Sequence, residues 1–222
     1  MTDDRSNETR QPPVWNSGLI LAILAAVCTA LVAITQRNTA PRIAANEQAY
    51  LEQSLQPVLA GLTYDGKLSE STLTIPMPHE LPGNEDVTVY RVFAANEPVA
   101  ALFVVTARDG FSGPIKLLIG IAANGSITGV RVLEHRETPG LGDLIEAGKS
   151  DWVQQFARTS INFPKQDQWA IKRDGGVFDQ LTGASITPRS VIKAIKETLL
   201  YFAANSEQVF AVVDVEGPGP EA

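Results

Sequence analysis

The sequence predicts an α+β domain carried on one N-terminal transmembrane helix. Three patterns carry this expectation. Residues 18–34 form an uncharged apolar run. Asn124-Gly125, the strongest short signal for a tight hairpin, lies between two apolar segments, Ile115 to Ala122 and Ile127 to Glu134. The segments that follow switch to helical spacing, so antiparallel hairpins and helices share one domain instead of alternating as parallel βαβ units.

In chain order, residues 1–14 form a polar tail and 15–36 the membrane helix. At 1.5 Å per residue, Trp15 to Thr35 spans about 30 Å, the thickness of a bilayer core. Trp15 and Gln36-Arg37 suit its two interfaces. A cleaved signal peptide is the competing reading, but Asp3, Asp4 and Glu8 stand beside Arg5 and Arg10, and the apolar run exceeds a usual signal core. Lipoprotein processing at Cys28 fits poorly, because Ala25-Ala26-Val27 lacks the leucine-then-small pattern and apolar residues continue past the cysteine. Arg5 and Arg10 before the span balance Arg37 and Arg42 after it, so charge alone leaves its orientation open.

Residues 37–45 read as a linker and 46–215 as the folded domain. Tyr50, Leu51, Leu55, Val58 and Leu59 predict a helix disturbed at Pro57. The stretch from Gly61 to Gly83, with Pro76, Pro78 and Pro82, reads as turns. Val87, Val89, Val92 and Phe93 predict a strand that turns at Asn96-Glu97-Pro98 into a partner over Ala101 to Thr106, and the Asn124-Gly125 hairpin follows. Beyond it come a short helix from Asp143, another holding Trp152 and Phe156 in the core, and a strand near Trp169 to Lys172. A helix with Val191, Ile192, Ile195, Leu199 and Phe202 on one face is next, then a last strand over Val209 to Val215 and a flexible tail, 216–222.

Composition narrows the chemistry. The net charge is −7 and the 18 basic residues form no block, which gives little support to nucleic-acid binding. One cysteine excludes an intrachain disulfide and any cysteine-rich metal or iron–sulfur site. His79 and His135 lack a spaced third ligand, so no metal is expected. Redox chemistry would require an organic cofactor.

Two motifs stand out. In the run Asp179 to Pro188, Gly183 and Ala184 leave room for a bulky group to approach the Ser185 hydroxyl. Thr187 reads as an N-cap and Pro188 as the first helical residue, so the positive end of a helix faces Ser185. That describes an anion site with a covalent handle. Glu137-Thr138-Pro139-Gly140-Leu141-Gly142 reads as a stiff turn with exposed amides, suited to the edge of a flat polar ring, or simply as a tight strand-to-helix connection.

Thr182-Gly183-Ala184-Ser185, with Asp179, Thr187 and Val191, resembles the flavin-attachment motif of the FMN-binding domain family, whose members serve in Rnf-type ion-translocating electron transport complexes and sodium-pumping NADH:quinone reductases. Glu137 to Gly142 resembles that family's second motif, and Gly110-Phe111-Ser112-Gly113-Pro114-Ile115 the stretch before its central hairpin. The resemblance covers about residues 100–203. It implies an electron carrier with FMN joined to Ser185 by a phosphoester, flanked by Thr182, Gly183, Ala184 and Thr187, while Glu137, Thr138, Gly140, Leu141 and Gly142 line the isoalloxazine. It also implies a flavin transferase that moves FMN from FAD, other subunits of an Rnf-type membrane complex as partners, and a periplasmic domain anchored in a bacterial inner membrane with the tail 1–14 on the cytoplasmic side. The family usually carries threonine at the attachment position and serine at the first; Ser185 and Thr182 each keep a hydroxyl. Reduction of a flavin builds negative charge near N1 and O2, for which Lys172 is a candidate partner. Two other classes compete. A serine hydrolase built on Ser185 lacks the G-x-S-x-G elbow, because Thr187 occupies the last glycine position. A cofactor-free membrane-anchored scaffold is the other.

Overall fold

A computed structural model describes residues 14–59, 61–62 and 71–211, in two compact units, Met1–Ala49 and Tyr50–Ala222. The protein has one N-terminal apolar helix and then an α+β domain built on an antiparallel five-stranded sheet. Helix α1 runs over Val14–Val58, and its segment Gly18–Ile43 is long and apolar enough to cross a membrane. The linker expected over 37–45 is instead helical and continues α1. Hydropathy falls after Ile34, but helix formation does not depend on hydropathy: the alanines and long polar residues there propagate the helix. Pro41 costs one hydrogen bond without ending it, and the helix stops one residue past Pro57. Nearly all of the expected N-terminal tail, residues 212–215 of the expected last strand and the tail 216–222 lie outside the described residues.

The sheet consists of β1 (Thr72–Ile75), β2 (Val87–Ala94), β3 (Glu97–Ala107), β4 (Ile115–Ala122) and β5 (Ile127–Glu134), each paired with the next in order. Strand β1 falls in the stretch read as turns. Its four alternating residues are too few to register against nearby prolines, and pairing with β2, Thr72 opposite Tyr90, makes it an edge strand. The β2–β3 turn centres on Ala95-Asn96, one residue early, with φ of 49° and 65° as a two-residue hairpin turn demands. Asn124-Gly125 turns as expected, and Asn124 Oδ1 accepts from the Ser126 N–H and hydroxyl.

Alternation along β3 divides the core. Ala101, Phe103, Val105 and Ala107 join the cluster beneath helix α2 (Ile186–Phe210), where Val191, Ile192, Ile195, Leu199 and Phe202 are buried. Ala100 and Leu102 face the other way and pack with Leu55, Val58 and Leu59 at the end of α1. Val58 seats over Gly120 and Gly129, which pair across β4 and β5; a Cβ on Gly129 would lie 3.1 Å from the Val58 Cα, and one on Gly120 would collide with Val58 Cγ1.

Two expected strands do not form among the described residues. Near Trp169 to Lys172, Ile171 makes a single bridge to Phe178, and Lys172–Asp174 is a 3₁₀ turn closed by Gly175 at φ 85°. Side chains drive this segment: the Trp169 and Phe178 rings lie 4.9 Å apart and extend the Trp152–Phe156–Phe178 cluster. Val209 and Phe210 end α2, because the Phe210 ring packs edge-on against Phe93 and Phe202. As expected, Trp152 is a core residue, 7 % exposed.

Candidate functional site

Two loops distant in sequence meet in one cleft of about 310 Å³, lined by Phe111, Glu137, Thr138, Leu141, Gly142, Gly183, Ala184, Ser185, Ile186 and Thr187. The Ser185 loop begins with a four-residue turn, Leu181 to Ala184, in which the Ala184 N–H donates to the Leu181 carbonyl at 3.2 Å. Gly183 is its third residue at φ 82°, a left-handed conformation that glycine adopts without strain. A Cβ there would also press on Leu141 Cδ2 at 2.9 Å, so Gly183 lets the two loops touch. Ahead of the turn, Trp152 Nε1 donates to the Asp179 carbonyl at 2.7 Å and ties the loop to the aromatic cluster.

Helix α2 begins at Ile186, one residue before the expected cap, with Ser185 at the cap position. The Ser185 hydroxyl makes no capping bond and the residue is half-buried at the cleft wall. Thr187 is therefore not the N-cap. It is fully buried and donates its hydroxyl to Glu137 Oε2 at 2.5 Å. Thr187 already lies inside α2, past the cap position, and the buried carboxylate takes its hydroxyl instead.

Glu137 is the keystone of the cleft. It is 5 % exposed, and its other oxygen, Oε1, accepts the Ser112 N–H at 3.0 Å. Its carboxylate thus joins three segments: the 110–114 loop, its own turn and the start of α2. The surroundings are tight: a Cβ on Gly142 would sit 2.7 Å from Glu137 Oε2, and one on Gly110 2.9 Å from Oε1.

The turn itself departs from expectation. Pro139 and the positive-φ Gly140 form its middle, and the N–H groups of Leu141, Gly142 and Asp143 all point to the Thr138 carbonyl, at 3.1, 3.1 and 3.4 Å. These amides are engaged internally, so the turn offers side chains rather than free amides to the cleft. Behind it, Lys149 Nζ reaches Asp143 Oδ2 at 3.0 Å and Glu146 Oε1 at 2.6 Å. The hydrogen bond from Lys149 holds Asp143 below the ordinary carboxylate range. Burial pushes Glu146 up, but hydrogen bonds from Lys149 and His135 outweigh it and hold that carboxyl low. His135 accepts the Glu137 N–H on Nδ1 at 3.0 Å and lies 2.7 Å from Glu146 through Nε2, so Nε2 carries the hydrogen.

Three expected site residues do not line the cleft. Thr182 and Gly140 sit in the turns that shape it and are exposed. Lys172 lies outside it and pairs with Asp179 at 2.5 Å. His79 lies on the β1–β2 loop, where Nε2 meets the Glu85 carbonyl at 2.9 Å, whereas His135 bonds to Glu146. Phe111 and Ile186 line the cleft without being marked as site residues by the sequence. Phe111 belongs to the 110–115 stretch, and a large aromatic beside two glycines was the available signal. Ile186 reads as an ordinary helix residue. A second cleft, about 280 Å³, opens between the β1–β2 loop and the α2 face at Ser190, Lys193 and Glu197, and no expected site residue lines it.

Chemically, the first cleft joins an uncommitted hydroxyl, a helix N-terminus that favours an anion, and exposed apolar side chains. That combination suits a phosphorylated flat ligand.

Comparison with known proteins agrees with this reading. Residues 110–200 match the FMN-binding domain family, and residues 6–58 match the RnfG N-terminal region. The chain is 40 % identical to the G subunit of the ion-translocating oxidoreductase complex of Pseudoalteromonas atlantica, over 89 % of this chain and 92 % of that protein. It is similarly related to proteins of the same name from Shewanella amazonensis, 40 % identical over 90 % and 93 %, and Vibrio cholerae, 41 % over 88 % and 93 %.

Proposed function

This chain belongs to the family of G subunits of ion-translocating oxidoreductase complexes, and from that membership we propose that it relays electrons through FMN held covalently by a phosphoester at Ser185. The observation that carries the reading is the meeting of both motifs in one cleft, with a hydroxyl that caps nothing at its wall. FMN supplies one- and two-electron transfer when bound; the chain supplies the holder. Ser185 gives the ester oxygen, and the start of α2 favours the phosphate beside it. Gly183 and Ala184 keep the approach open, and Glu137 fixes Thr187 and the 110–114 loop around the site. Thr138, Leu141 and Gly142 line the same cleft and would hold the ring.

Attachment requires a flavin transferase. The Ser185 oxygen forms a bond to the FMN phosphorus of FAD, the pyrophosphate bond breaks, AMP leaves, and the hydroxyl proton passes to a base on the transferase. An exposed loop suffices for such a donor. The chain acts within a multi-subunit membrane complex and needs no substrate turnover of its own.

Segment Gly18–Ile43 serves as a single inner-membrane anchor, with the tail cytoplasmic and the domain periplasmic. An alkaline phosphatase fusion at Ala222 should be active and a cytoplasm-dependent reporter silent; the opposite pattern refutes this orientation. The attachment site is tested by intact mass and in-gel flavin fluorescence after denaturation. Wild-type protein co-expressed with a flavin transferase should carry one FMN and Ser185→Ala none. Flavin retained by Ser185→Ala refutes the site.

A further inference from the structure

Phe111, Leu141 and Ile186 reach the cleft from three separate segments, and they are 66 %, 41 % and 46 % exposed. Among the described residues of Tyr50–Ala222, the other large hydrophobics at least 40 % exposed are Met77, Phe163, Val177 and Leu200, and none of these lines that cleft. Single exposed apolar residues need no explanation, but three gathered around one concavity mark a surface that something apolar covers.

Phe111 is the most exposed of the three and the only aromatic. Its backbone is nevertheless held on both sides. The Ser112 N–H donates to Glu137 at 3.0 Å, Asp109 pairs with Lys193 of α2 at 2.7 Å, and a Cβ on Gly110 would collide with the Gly113 carbonyl oxygen. The loop, itself exposed or half-buried, is therefore tied down by these contacts while the ring it carries stands at the mouth of the cleft in solvent. The occupant that fits is flat and partly apolar, and its attachment point, Ser185, lies on the same wall.

We propose that Phe111 is a positioning residue whose aromatic face packs on the isoalloxazine of the FMN tethered at Ser185. Leu141 and Ile186 complete the apolar wall. The inference rests on the tether reading above. Reduction adds negative charge, which water stabilises and a phenyl face does not, so Phe111 limits water at the ring and holds its midpoint potential down.

The test uses the full-length chain in detergent, co-expressed with a flavin transferase, as wild type, Phe111→Ala, Phe111→Leu and Phe111→Trp. Removing one aromatic contact in Phe111→Ala should lower the ratio of docked to solvent-exposed flavin by about three- to tenfold. That change reads as stronger iodide quenching of flavin emission, with a raised midpoint potential. Phe111→Leu should fall between wild type and alanine, and Phe111→Trp should darken the emission through a stacked indole. Variants that carry one FMN by intact mass yet match wild type in iodide access, emission and potential overturn the assignment and leave the tether intact. Loss of the FMN mass from Phe111→Ala alone also overturns it, since the residue would then serve attachment. A wild-type chain without FMN overturns the tether reading, and this assignment falls with it.

Discussion

Replacing Glu137 by glutamine keeps the size and shape of the side chain but removes its ability to accept at both ends. In the folded domain both carboxylate oxygens are used, one by the Thr187 hydroxyl at 2.5 Å and one by the Ser112 N–H at 3.0 Å, with Glu137 only 5 % exposed. A glutamine oxygen can accept the Ser112 N–H while its NH₂ donates to the Thr187 oxygen, which leaves the Thr187 hydroxyl proton without its acceptor. One buried donor left unpaired costs about 1–3 kcal/mol. Against a typical total of about 5–15 kcal/mol the variant still folds, so the effect is measurable. Urea unfolding of the full chain in detergent reports it through Trp152 and Trp169, both buried; Trp15, 84 % exposed, should first be changed to phenylalanine. Thr187→Val removes the facing hydroxyl, and a double-mutant cycle should give a coupling of about 0.5–3 kcal/mol with Glu137→Gln. A Glu137→Gln protein within about 0.5 kcal/mol of wild type, and additive with Thr187→Val, would refute the keystone role. The same slackening should lower the flavin occupancy of Ser185.

Three further outcomes are expected. Ser185→Thr should retain the FMN mass that Ser185→Ala loses, because only the hydroxyl is needed; its loss would show that the position demands serine. Gly120→Ala should destabilise by about 1–3 kcal/mol, since its Cβ meets both Thr128 Oγ1 and Val58 Cγ1, and Val58→Ala in the same chain should recover the part due to Val58; strictly additive urea midpoints would count against this packing. Asp109, Asp143 and Asp174 are held below the ordinary aspartate value of 3.8 by hydrogen bonds from Lys193, Lys149 and Arg189. Carboxyls depressed in the folded state contribute stability that is complete above that value and is lost as pH falls through their lower folded values. Urea midpoints should therefore hold from pH 7 to about 5 and drop below about 4, with Asp143→Asn flattening the drop; an unchanged acid limb in that variant contradicts its pairing with Lys149.

The motif loops, the two hairpins, the apolar N-terminal helix and the helix after Ser185 were legible because each rests on local chemistry. A positive-φ glycine, an Asn-Gly turn and an i, i+4 stripe act over a few residues and look the same in sequence as in the fold. Strand β1 and the helical stretch over 37–45 were not legible. One depends on a partner strand, and the other on helix propensity continuing where hydropathy stops. The false strand at 169–172 failed for a related reason, since its aromatics are set by ring packing with Phe178 rather than by a ladder.

For the site, sequence alone determined the hydroxyl at Ser185, the small residues before it and the glycine-rich turn at 137–142. Tertiary structure decided what those parts do. It placed the two loops 2.9 Å apart at a virtual Gly183 Cβ and turned Thr187 from an expected cap into the partner of Glu137. It engaged the turn amides inward, left Lys172 on Asp179 and added Phe111 and Ile186 to the wall. A hydroxyl or a turn follows from neighbours in the chain, whereas the choice of hydrogen-bond partner for a buried group follows from whichever segments the core brings within about 3 Å.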